Sequence, residues 1–118
     1  MITACPFCLQ ELKQDTFGKI CSCFITKNNK EIFITTRIRG DGFVSIIAYE
    51  SGKNLWATWE ISPIKSEIKT GYFSIFSDFT KPIFSKTEKH SNLDILLYIQ
   101  SIDIVGVLNR CNKLANLQ

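Results

Sequence analysis

The sequence predicts an α+β domain, an antiparallel sheet of about four strands with one or two C-terminal helices packed on it. Three observations carry that expectation. Runs rich in β-branched and aromatic residues recur between about residues 31 and 80, an apolar stripe at helical spacing occupies about residues 92–116, and four of the five cysteines crowd into residues 5–23. A chain of 118 residues is the usual size of one domain and buries roughly two-thirds of its unfolded surface.

The first 24 residues read as a β-hairpin, with Asp15-Thr16-Phe17-Gly18 turning between two cysteine pairs and Gly18 free to take positive φ. Lys27-Asn28-Asn29-Lys30 is a polar turn leading into the main sheet. Strands are predicted over residues 32–39, 43–49, 55–61 and 72–79. Gly40-Asp41-Gly42 and Ser51-Gly52-Lys53-Asn54 separate the first three, and such short connections favour consecutive antiparallel hairpins, hence a meander. The polar stretch over residues 85–92 is expected to end the sheet, and Ser91 with Asp94 resembles a capping box opening a helix over residues 92–101. Residues 103–116 continue at helical period with Ile104, Leu108, Cys111 and Ala115 on one stripe, and Gly106 is a candidate kink or break. The chain thus divides into a hairpin over residues 1–26 and an α+β region over 31–118, expected to fold as one compact unit.

Cys5-Pro6-Phe7-Cys8 is a tight C-x-x-C pair, followed after twelve residues by Cys21-Ser22-Cys23. Four soft thiolates in one place select tetrahedral zinc. In an extended strand residues i and i+2 share a face, so Cys21 and Cys23 can aim at one ion while Ser22 faces away. The stretch resembles a zinc ribbon over residues 5–23, with a C-x-C second pair instead of C-x-x-C and Leu9 where ribbons often have glycine. The resemblance implies one structural zinc ion held by Cys5, Cys8, Cys21 and Cys23, and says little about task. Cys-Pro-Phe-Cys also looks like the redox pair of glutaredoxins, but only four residues precede it, too few for the strand that such a pair follows.

Other chemistry is thinly represented. His90, the single histidine, lies beside Lys89 in a polar stretch and reads as a solvated loop residue, and a deaminase site would need a His-x-Glu that is absent. Cys111 falls on the apolar helical stripe and reads as core. Gly40-Asp41-Gly42 lacks the helix and lysine of a phosphate-binding loop, and no serine lies in a G-x-S-x-G elbow. No apolar run reaches the length of a membrane span, and Met1 to Ala4 leave no room for a signal peptide core, so a cytoplasmic or other reducing compartment is expected.

Several predicted strands are apolar on both faces. Val44, Ile46 and Ala48 oppose Phe43, Ile47 and Tyr49, and Trp56 opposes Trp59. The terminal helices can cover one face. The other must meet the hairpin's Phe7, Phe17 and Phe24, a second layer, or another protein. The expected function is therefore a non-catalytic, zinc-stapled binding or assembly module that recognises another protein through an aromatic sheet face, with Trp56, Trp59, Tyr49 and Tyr72 as contacts. An alternative is a nucleic-acid-binding or transcription-associated zinc-ribbon protein using Lys13, Lys19, Lys27, Lys30, Arg37 and Arg39, consistent with a formal charge of only +3. A second alternative is a thiol oxidoreductase with Cys5 as nucleophile. No membrane and no small-molecule substrate is expected.

Overall fold

A computed structural model of the protein describes residues 2–74 and 81–116. Seven antiparallel strands lie side by side in strict chain order: β1 (Lys13–Asp15), β2 (Gly18–Lys27), β3 (Lys30–Ile38), β4 (Val44–Glu50), β5 (Leu55–Ser62), β6 (Glu67–Ser74) and β7 (Phe84–Lys89). This corrects the expected sheet of about four strands, although the sheet-plus-helix layout is α+β.

The added strands have identifiable causes. Lys27-Asn28-Asn29-Lys30 is not merely a connector: Asn28 and Asn29 both take positive φ, 54° and 61°, and Lys27 pairs with Lys30 across them. That is a two-residue hairpin turn, whose left-handed positions asparagine tolerates better than most residues. It joins β2 to β3 in continuous register from Lys19↔Ile38 to Lys27↔Lys30. β6 begins at Glu67 instead of Tyr72, because buried Ile68, Thr70 and Tyr72 alternate with Glu67 and Lys69. The later part of the strand predicted over residues 72–79 lies outside the described residues. β7 occupies the polar stretch expected to end the sheet; its charges suit an edge strand.

At the β1–β2 turn Gly18 has a φ of 144°, and a Cβ there would collide with the Ile38 carbonyl of β3. Two helices follow the sheet, α1 (Ile95–Ser101) and α2 (Ile104–Ala115). Asp94, not Ser91, caps α1, its carboxylate accepting from the Leu97 amide at 3.0 Å. The break between helices falls at Ile102 and Asp103, not at Gly106. Asp103 caps α2 by accepting from the Gly106 amide at 3.1 Å, and its carboxylate fills the space that a Cβ on residue 106 would need. Glycine here admits the cap.

One sheet face carries the core. Ile32 and Ile34 of β3, Val44, Ile46 and Ala48 of β4, Ala57, Trp59 and Ile61 of β5, and Ile68 and Tyr72 of β6 are buried with Ile99 of α1 and Val105, Leu108 and Cys111 of α2. Phe7, from the N-terminal cysteine turn, packs on the same cluster. The helices and the N-terminal turn therefore share one face, so of the hairpin aromatics offered as cover for the other face Phe7 lies on the core side, while Phe24 stands on the side away from the helices.

Candidate metal centre and open sheet face

The cysteine site is assembled from a tight turn and a strand. Cys5 and Gln10 close the turn through a Cys5 N–H to Gln10 carbonyl bond of 2.8 Å, and the Leu9 amide donates back to the Cys5 carbonyl at 2.9 Å. Leu9, with no glycine to ease it, takes a φ of 66° and is 79% exposed. A left-handed residue with a Cβ costs about 1 kcal/mol, and the turn sets Cys5 and Cys8 on its inner side. Opposite them, Cys21 and Cys23 lie two apart on β2, directly across from Thr36 and Ile34 of β3, and so point to the core face.

The four Sγ atoms lie within 4.8 Å of one another, with Cys8 and Cys21 at 3.6 Å. A tetrahedron of sulfurs about 2.3 Å from one ion has edges of about 3.8 Å. The four cysteines are thus within metal-binding distance as a set. Cys5 is fully buried and the other three are half-buried.

The four thiols shift one another's ionisation. Burial, with hydrogen bonds from Cys8 and Cys5, pushes Cys21 up to about 12. Burial also pushes Cys23 up, and the charge of Cys5 adds to it. Burial opposes ionisation of Cys8 as well, but the Gln10 backbone and the thiols of Cys21, Cys5 and Cys23 outweigh it and hold Cys8 below its ordinary value. Thiolates this close repel one another; a divalent cation reverses that balance and deprotonates them. Beside them Thr36, fully buried and across from Cys21, has a hydroxyl with no partner among the described residues.

The second feature is the face that the helices leave open. Register places Phe24 opposite Phe33, Phe33 opposite Tyr49, Tyr49 opposite Trp56 and Trp56 opposite Phe73. One row of aromatic side chains thus crosses five strands on one face. Phe24 and Phe33 rings lie 4.9 Å apart and edge-on, Phe33 and Tyr49 5.2 Å apart and tilted, distances at which rings attract. Phe24, at the end of the row, is 65% exposed.

The four residues expected to contact a partner divide between faces. Tyr49 and Trp56 stand half-buried in the row on the face opposite the helices, whereas Trp59 and Tyr72 are buried beneath the helices. Phe24, expected only as possible cover from the hairpin, completes the row with Phe33 and Phe73, an alignment that stays invisible until the turns fix cross-strand register.

The basic residues do not converge. Lys13 and Lys19 lie at one end of the β1–β2 hairpin, and Lys27 and Lys30 at the other end of β2, roughly 25 Å away at strand rise. Lys30 donates to Asn109 at 2.8 Å and pairs with Glu50 at 3.6 Å. Arg37 pairs with Asp15 at 3.1 Å with Phe17 nearby, and Arg39 pairs with Asp41 over the Phe43 ring. His90 meets Glu88 at 3.2 Å and the Tyr98 ring, so it has a carboxylate partner that its sequence context did not suggest. Cys111 is fully buried, and burial raises its thiol to about 11. No helix among the described residues is long and apolar enough to cross a membrane.

No protein-family model, curated protein or solved structure matches this chain, so its likeness to a zinc ribbon rests on the geometry of Cys5, Cys8, Cys21 and Cys23 alone.

Proposed function

We propose that the protein is a non-catalytic binding module, stapled by one zinc ion, that recognises another protein through its open aromatic face. The in-register row of Phe24, Phe33, Tyr49, Trp56 and Phe73 carries this reading: aromatic side chains dominate protein interface energetics, and the register gathers five of them on one face of the sheet. Zinc is favoured by the all-thiolate donor set and its tetrahedral spacing. Four protein ligands complete a tetrahedral ion and leave no open position for substrate or water, which supports a structural role. Full burial of Cys5 speaks against its service as a redox nucleophile. Nucleic-acid recognition is the weaker reading, since Arg37, Arg39 and Lys30 have their charge matched by Asp15, Asp41 and Glu50.

Two measurements test the proposal. Metal analysis of the purified chain is expected to give one zinc per molecule, lost in Cys8→Ser. Affinity capture from cells with wild-type and Trp56→Ala proteins is expected to recover a partner that the variant loses. A partner retained at full strength by Trp56→Ala, or a salt-sensitive nucleic acid in its place, would overturn the protein-recognition reading.

A further inference from the structure

The two edges of the sheet are dressed differently. β7 carries Lys86, Glu88 and Lys89 within its six residues, the kind of charge that keeps an edge from pairing with another chain. At the opposite edge β1 covers β2 only at residues 18–20. The remaining length of β2, residues 21–27, reads Cys-Ser-Cys-Phe-Ile-Thr-Lys, with no proline and no charge before its last residue. Lys27 and Lys30 close the two-residue turn as a hydrogen-bonded pair, so Cys21, Cys23 and Ile25 direct their backbone groups at β3 and Ser22, Phe24 and Thr26 direct theirs outward. Ser22, Phe24 and Thr26 are all exposed, and among the described residues no backbone group bonds to their amides or carbonyls.

Open main-chain donors and acceptors on a strand edge are met by another strand, and the sequence of this edge is complementary to itself. We propose that β2 pairs antiparallel with β2 of a second copy of this chain, about a two-fold axis through Phe24. Phe24 is the midpoint of residues 21–27, so this register engages the whole free edge. Ser22 then lies opposite Thr26 of the second copy, hydroxyl against hydroxyl, and Cys23 opposite Ile25, two side chains of the core face. Lys27 falls opposite Cys21, and no like charges meet. Phe24 meets Phe24 on the open face, so the aromatic row of one copy runs without interruption into that of the other. The contact is isologous and closed, as a two-fold interface requires, and the metal turns of both copies lie on the opposite face.

This pairing needs β2 and not Trp56, so it stands or falls separately from partner recognition. Sedimentation velocity of the full, zinc-loaded chain across micromolar to near-millimolar concentration is expected to show a reversible monomer–dimer equilibrium. Phe24→Lys and Phe24→Glu each set like charges face to face at the axis and weaken the dimer by roughly tenfold or more. Phe24 is exposed, so both variants keep the fold, which a full complement of zinc checks. Mixing the two restores a dimer at least as tight as wild type. Thr26→Pro, which removes an outward amide without touching the β2–β3 bonds, also weakens it, whereas Trp56→Ala leaves it unchanged. A chain that stays monomeric throughout, a dimer indifferent to both charge variants, or a mixture that fails to pair would overturn the proposal.

Discussion

Around β4, β5 and β6 the sheet is held by burial: Ile46, Ile61 and Ile68 are fully excluded from water beneath the helices. At β1 and β2 the same face offers far less. Before Ile32, the buried apolar residues among those described are only Cys5 and Leu12, too little to order a hairpin by itself. In their place stand four convergent thiols. The contrast teaches that one continuous sheet can combine two unlike regions, hydrophobic area at its centre and a cluster of convergent thiols at its edge. On the zinc reading proposed above, the edge is expected to depend on metal, and on the deprotonation that accompanies metal binding, while the centre is not.

The largest effect is expected from removing the ion. Binding of structural zinc by four ligands is worth about 10 kcal/mol or more, and chelation is expected to raise amide exchange throughout residues 2–26 while β4, β5, β6 and α2 remain protected. Loss of protection across the whole sheet would break the contrast. A second, smaller effect runs the other way. Ile46→Ala is expected to cost about 2–5 kcal/mol in denaturant unfolding, with the folded fraction still carrying its full complement of metal.

Leu9→Gly sharpens the comparison at the metal turn. It relieves the left-handed strain at Leu9 at little loss of buried area, since Leu9 is mostly exposed, and is expected to tighten metal binding about fivefold, equivalent to about 1 kcal/mol. The smallest effect concerns the β3–β4 turn. The hydrogen bond from Arg39, with help from the Phe43 amide, holds the exposed Asp41 carboxyl at about 2. A depressed carboxyl contributes stability in full above its ordinary value of about 3.9, and that contribution is lost as pH falls toward about 2. The melting temperature of wild type should therefore exceed that of Asp41→Asn slightly at neutral pH, and the difference should vanish in strong acid.

The cysteine cluster was legible because thiol spacing is a local signal: Cys5 and Cys8 sit on one turn and Cys21 and Cys23 on one strand face. β3, β4 and β5 were legible because glycine-containing turns frame them. The length of β2 was not, since Asn28 and Asn29 look like a polar connector until their positive φ values reveal a hairpin turn. β7 was missed because Lys86, Glu88 and Lys89 make an edge strand look like a loop. The aromatic row was half visible: Tyr49 and Trp56 stood out as residues, but only register aligns them with Phe24, Phe33 and Phe73 and sends Trp59 and Tyr72 to the other side. Asp94 and Asp103 could have been read as caps, each being an acid just ahead of an apolar helical run.

The unbroken order of strands from β1 to β7 also bears on how the chain reaches its folded state. Every strand finds its partner in the segment next to it, so each pairing closes a short loop and carries little entropic penalty. Sheets that must gather distant segments fold slowly for want of such neighbours. Here assembly can advance hairpin by hairpin, each strand completing the edge on which the following one lies down, even while the chain is still emerging from the ribosome. Among the described residues, the outer side of β2 beyond Ile20 is left without such a neighbour.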